Sequence, residues 1–129
     1  FSTYYLNNET LFKIQSDVIR RLAEKSSCLF VGRCADYVLS GHPFMLNVFI
    51  TADLDDRVKR ISEREKLTPA KARDYIEKAD KKRAAYYNYF SSKPWGMADS
   101  YHLCINSSWL GLEATVESIC SFASKRFGL

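Results

Sequence analysis

The sequence predicts an α/β fold in which a parallel sheet is covered by helices on both faces. Three observations predict it. Short apolar runs recur, CLFV at 28–31, MLNVFI at 45–50 and YHLCI at 101–105, and they read as nearly continuous hydrophobic strands. Between them lie stretches with apolar residues every three or four positions, which is the helical period. Each run ends in residues that turn the chain, at Gly32-Arg33, Thr51-Ala52-Asp53 and Asn106-Ser107-Ser108. In a sheet of this kind ligands bind beyond the carboxyl ends of the strands, so these three turns are expected along one edge.

The elements follow in order. Asn8 is placed to cap a first helix, with Glu9 near its positive end and Leu11, Ile14, Val18 and Leu22 as its apolar stripe, ending near Lys25. CLFV then forms a strand, Gly32 a tight turn, and Ala35, Val38 and Leu39 a second helical stretch. Gly41-His42-Pro43 breaks the chain before the second strand. Asp53 caps the next helix, which has Asp55 and Asp56 in its first turn and Val58 and Ile61 inward, with Arg57, Lys59, Arg60 and Arg64 opposite. Thr68-Pro69 is a cap followed by proline at the first helical position, so a helix starts there. It keeps Ala72, Tyr75, Ile76 and Ala79 on one face and runs to about Tyr89, before Ser91-Ser92-Lys93-Pro94. The third strand leads through Asn106-Ser107-Ser108 into a last helix with Val116, Ile119, Cys120 and Ala123 inward and Gly128 after its end.

Composition bounds the function. A chain of 129 residues holds one core and is one domain or part of one. Nineteen Lys and Arg against fifteen Asp and Glu leave a net charge of +4, which suits phosphate ligands and equally suits an ordinary basic domain. Cys28, Cys34, Cys104 and Cys120 form no CxxC pair and read as buried reduced thiols, which points to the cytoplasm. No run of about 18 apolar residues occurs and the first residues lack the pattern of a signal peptide, so no membrane partner is expected. The chain opens at Phe1 rather than at a methionine, and an upstream segment is expected.

Several residues can carry chemistry. Arg33 follows a strand, where a guanidinium makes paired bonds to a phosphate or carboxylate, or a salt bridge to Asp36. Asp80 and Arg83, three apart on the long helix, offer one acceptor and one fork of donors, or an intrahelical ion pair. Basic residues from Arg57 to Arg83 lie on two successive helices, where they can close over a triphosphate or, interleaved with Glu63, Glu65, Asp74 and Glu77, form a solvated face. Tyr86, Tyr87, Tyr89, Phe90 and Trp95 can stack a base, and more naturally pack into the core. His42 and His102 have no metal or dyad spacing, read as structural, and leave no metal site.

Taken together, VGRCADYVL after a strand, VFITADLDDRVKRI, IEKADKKRAAYYNYF and YHLCINSSWLGLEATVESI resemble the cytidylate kinase-like family, relatives of the nucleoside monophosphate kinases. The resemblance implies a P-loop kinase-like three-layer sandwich with its amino-terminal portion missing, and a single partial domain over 1–129 with a helical lid at about 57–83. It implies ATP and Mg2+, with a nucleoside monophosphate such as CMP as acceptor. Partners would be small nucleotides, neither nucleic acid nor membrane, with the oligomeric state open. Arg33 matches the arginine of the family's Gly-Arg-Asp, and Asp80 and Arg83 its Asp-x-x-Arg, all on the acceptor side. Arg57, Arg60 and Arg64 fall where the lid brings catalytic arginines to the ATP phosphates, and Asn106, Ser107 and Ser108 resemble the loop beside the adenine. The chain departs from the family twice: Cys34 stands in place of the acid, and no GxxxxGK[ST] occurs among the five glycines. In the family that loop precedes the first helix seen here. A non-catalytic nucleotide-binding or regulatory domain is the alternative, and a nucleic-acid binder ranks last.

Overall fold

The computed structural model describes the backbone from Ser2 and the side chains from Asn8 through Leu129. Two compact units divide the chain, residues 1–45 and 46–129.

The first unit is a long helix and a short one, α1 (Ser2–Lys25) and α2 (Ala35–Val38), which pack together. Asn8 lies inside α1 rather than at its start, because the helix extends six residues further back, to Ser2. The expected inward stripe faces outward instead: Leu11, Ile14, Val18 and Leu22 are all exposed, and Ser16 and Ile19 are this helix's buried positions among the described residues. The Ser16 hydroxyl reaches back to the Phe12 carbonyl at 2.7 Å, which satisfies it inside the unit.

Residues 28–31 are not a strand. Leu29 is 92% and Val31 88% exposed, and no strand pairs with this segment among the described residues. An apolar run becomes a strand only through a ladder partner, and apolarity alone does not supply one. Gly32, Arg33 and Cys34 then have φ of +71°, +57° and +55°, three successive left-handed residues. The Ala35 amide donates to the Gly32 carbonyl at 3.2 Å, closing the turn that starts α2.

The second unit holds a parallel two-stranded sheet of β1 (Val48–Thr51) and β2 (Leu103–Asn106), in register from Val48 beside Leu103 to Thr51 beside Asn106. The chain is therefore α/β and mostly helical, with two parallel strands among the described residues where three were expected. Each strand also starts later than its apolar run, since His102 ends the approach by accepting the Asn47 amide at its Nδ1, 2.9 Å away. His42 does the same locally, its Nδ1 accepting the Phe44 amide at 3.1 Å.

Two helices, α3 (Leu54–Glu65) and α4 (Pro69–Ser91), form a hairpin around Val58, Ala72 and Ile76, with Ile61 and Leu67 packed against them. Lys66 in the left-handed region ends α3, and Thr68 caps α4 by accepting the Lys71 amide at 3.3 Å. Proline at the first position of α4 needs no amide partner there. The aromatic residues beyond the hairpin mostly pack inward. Phe49 of β1 meets Trp95 edge-on at 5.3 Å and Tyr101 at 4.9 Å, and Tyr87 is buried, while Tyr89 stays 67% exposed.

The last helix is interrupted. Gly111, at φ +83°, separates α5 (Ser107–Leu110) from α6 (Leu112–Phe127), which ends at left-handed Gly128. On α6 the expected buried face is only partly so, since Val116 and Cys120 are exposed and Ile119 and Ala123 half-buried. Of the four cysteines only Cys34 is buried, which corrects the expectation of buried thiols for the others. No helix among the described residues is long and apolar enough to cross a membrane.

Candidate functional site

The hairpin carries the candidate site. Arg57, Arg60 or Ile61, and Arg64 recur along one stripe of α3, and Ile76, Asp80 and Arg83 along one stripe of α4, because both spacings follow the helical turn. The apolar members of these stripes join the hairpin, and their arginines border a cavity of about 170 Å³. Arg57, Arg60, Arg64 and Arg83 line it, with Tyr75 as an aromatic wall.

Asp80 organises two of these arginines. Both terminal nitrogens of Arg57 donate to its two carboxylate oxygens at 2.8 Å, the parallel two-bond geometry that arginine alone provides. Arg83 adds a third bond at 2.9 Å from the next turn of the same helix. The bonds from Arg57, and its charge, hold the Asp80 carboxyl below the usual carboxylate value, with Arg83 acting in the same direction and partial burial opposing both. The bond to Asp80 raises the Arg57 pKa in turn. Arg64 is held by Glu65 at 2.8 Å, and Tyr75 lines the same cavity. Arg60 makes no hydrogen bond or ion pair among the described residues.

A second, larger cleft of about 310 Å³ adjoins Arg60 on its other side. Its walls are Asp56, Lys59, Arg60 and Glu63 of α3, facing Ser107 and Ser108 of α5. Arg60 therefore borders both spaces. A latch of hydrogen bonds joins the ends of the two strands beside the cleft. The Asn106 side chain donates to Asp53 Oδ1 at 2.9 Å and accepts the Ser108 amide at 2.9 Å. The Asp53 amide donates to Ser108 Oγ at 2.8 Å, and the Ser107 hydroxyl donates to the Thr51 carbonyl at 3.1 Å. Asp53 stands at the start of α3 without capping it through its side chain, since its carboxylate serves the latch. After these bonds Ser107 still has lone pairs and Ser108 still has its hydroxyl proton to offer a ligand.

The structure thus groups the expected residues differently from their order in the chain. Arg57, Arg60, Arg64 and Arg83 surround one cavity with Asp80 bonded among them, and Asn106, Ser107 and Ser108 form the latch of the cleft beside it. Arg33 belongs to the first unit, exposed in the left-handed turn between Gly32 and Cys34. Burial, with the nearby charge of Asp36 adding to it, pushes the Cys34 thiol up to about 11. Sequence reasoning did not single out Asp53, Tyr75 or the cleft carboxylates Asp56 and Glu63 as site residues. The signal for the last two was present, because 56, 59, 60 and 63 share one helical face.

Comparison with known proteins bears on this arrangement. The model of the cytidylate kinase-like family matches residues 1–109. A crystal structure of an uncharacterized protein from Eubacterium ventriosum ATCC 27560 is similar at a TM-score of 0.86 and 33% sequence identity, over 88% of this chain. The chain spans 65% of the length of that protein. No curated protein matches.

Proposed function

Because the chain belongs to the cytidylate kinase-like family, we propose that it works as a phosphotransferase, moving the γ-phosphoryl group of ATP to a nucleoside monophosphate such as CMP or to another small acceptor. The observation that carries this reading is the convergence of Arg57, Arg60, Arg64 and Arg83 on one cavity, with Arg60 also bordering the adjoining cleft. Guanidiniums gathered at one cavity can neutralise the charge that spreads over a transferring phosphoryl group. In this reading the cleft takes the nucleoside of the donor beside Asn106, Ser107 and Ser108, and the phosphates run past Arg60. The cleft volume of about 310 Å³ stands at the lower end of the range for small-molecule sites.

Catalysis would come from positioning and charge neutralisation, with no covalent enzyme intermediate. Arg57, Arg60 and Arg64 act on the transferring group, and Arg83, held by Asp80, serves the acceptor. The hairpin over about 57–83 acts as a lid that excludes water when it closes. Among the described residues no three His, Cys, Asp or Glu side chains group as a metal cage. In this reading a magnesium ion would arrive on the nucleotide phosphates, the usual way this cation is held. The partners are small nucleotides, and the setting is the cytoplasm.

The test is a phosphotransfer assay with ATP, magnesium and a panel of nucleoside monophosphates, run beside Arg60→Ala. Turnover of at least one acceptor is expected, with kcat/KM lowered by about 100-fold or more in the variant. Nucleotide binding without turnover would favour a non-catalytic regulatory domain instead. Turnover unchanged in Arg60→Ala would remove the arginine cavity from the reaction.

A further inference from the structure

The 170 Å³ cavity is small for a nucleotide, falling below the range of small-molecule sites. Its charge is specific too. Four guanidiniums face it, and two carboxylates, Asp80 and Glu65, are bonded to them, which leaves an excess of two positive charges. A phosphoryl group carries close to two negative charges at neutral pH.

Asp80 has little left with which to read a ligand. Its two oxygens receive three N–H bonds from Arg57 and Arg83, and its side chain is only 26% exposed. The arginines, by contrast, keep most of their donors. A guanidinium has five N–H groups, of which Arg57 spends two and Arg83 one on Asp80. A free arginine side chain must lose rotamer freedom when it grips an anion, whereas one already clamped has lost it beforehand.

We propose that Asp80 is a positioning residue: it holds Arg57 and Arg83 toward a cavity that takes a single phosphoryl dianion, and it does not itself contact the substrate. This rests on the phosphotransferase reading for its purpose, but not for its test. The role differs from the acceptor contact that the family resemblance implies for the same aspartate.

Binding of inorganic phosphate, followed by calorimetry at fixed ionic strength, separates the possibilities. Asp80→Asn keeps the shape and removes one negative charge from beside the cavity. If Asp80 were only a counter-charge, this variant would bind phosphate more tightly. Positioning predicts the opposite, a loss of about tenfold despite the gained positive charge, with Asp80→Glu recovering part of it. Arg57→Lys preserves every charge but not the two-bond fork, and it too is expected to bind about tenfold more weakly. Thermal melts identify any variant that fails to fold, and Arg57→Lys then stands as the independent reading. Tighter or unchanged phosphate binding in folded Asp80→Asn, or unchanged binding in Arg57→Lys, overturns the proposal. Phosphate binding is measured without turnover, so a failed kinase assay leaves this result intact.

Discussion

Helix α1 and the α3–α4 hairpin carry equally regular apolar stripes, yet the hairpin buries its stripe and α1 does not. Val58, Ala72 and Ile76 are 8%, 0% and 3% exposed, whereas Leu11, Ile14, Val18 and Leu22 range from 42% to 55%. The difference lies in where each helix finds its partner. The hairpin closes on itself across a turn of three residues, Lys66 to Thr68, so each helix brings its own cover. Helix α1 is followed by an irregular connection and a four-residue helix, which offer its long stripe little to pack on. Periodicity states that a helix has an apolar face; it does not state what meets that face.

The largest expected effect sharpens this contrast inside the first unit. Cys28 is exposed, whereas Cys34, six residues on, is buried with its thiol pushed up to about 11. Thiolate is the reactive form, so at neutral pH a disulfide reagent is expected to modify Cys28, Cys104 and Cys120 at least about 100-fold faster than Cys34. Equal rates at all four sites would show that the turn at 32–34 does not shelter its cysteine.

Next come the two stripes themselves. Ile76→Ala is expected to lower stability by about 2–5 kcal/mol in urea unfolding, because it opens a cavity in the hairpin core. Val18→Ala should change it by no more than about 0.5 kcal/mol, as substitutions on exposed faces do. A Val18→Ala loss as large as that of Ile76→Ala would break the comparison, by showing α1 covered in solution.

Smaller effects probe how the hairpin is closed. Thr68→Ala is expected to cost about 1 kcal/mol, the worth of one N-cap. The Asp80 pairing should be visible in pH dependence. Its carboxyl is held below the ordinary 3.8, so its stabilising contribution is complete above that pH and is lost as pH falls through the lower folded value. The stability gap between the wild type and Asp80→Asn should therefore be flat above about pH 5 and narrow below 3.8. A gap unchanged down to full protonation would mean the pairing contributes nothing to folding.

Local chemistry was the legible part of the sequence. Thr68-Pro69 marked the start of α4, and Gly128 the end of α6, because caps act within a few residues. Val58, Ile61, Ala72 and Ile76 were correctly read as inward-facing, and the two later strands were located to within a few residues. What failed depended on distant partners. CLFV has the composition of a strand but no ladder beside it, and Val116 and Cys120 have the spacing of a buried face but no cover. In the site, the arginines and Asp80 were found from residue type, while their grouping round one cavity was not, because it depends on how two helices cross. Asp53 was read as a helix cap, yet its carboxylate bonds to Asn106, more than fifty residues away, and no local rule foresees such a bond.

Arg60 gives the second unit a property that neither of its cavities has alone. One guanidinium shared by two spaces cannot serve both ligands independently, since an anion that draws it toward one side alters the field on the other. If the cleft and the arginine cavity each take an anion, the two ligands are linked in free energy through Arg60. By reciprocity, each must change the affinity for the other by the same factor.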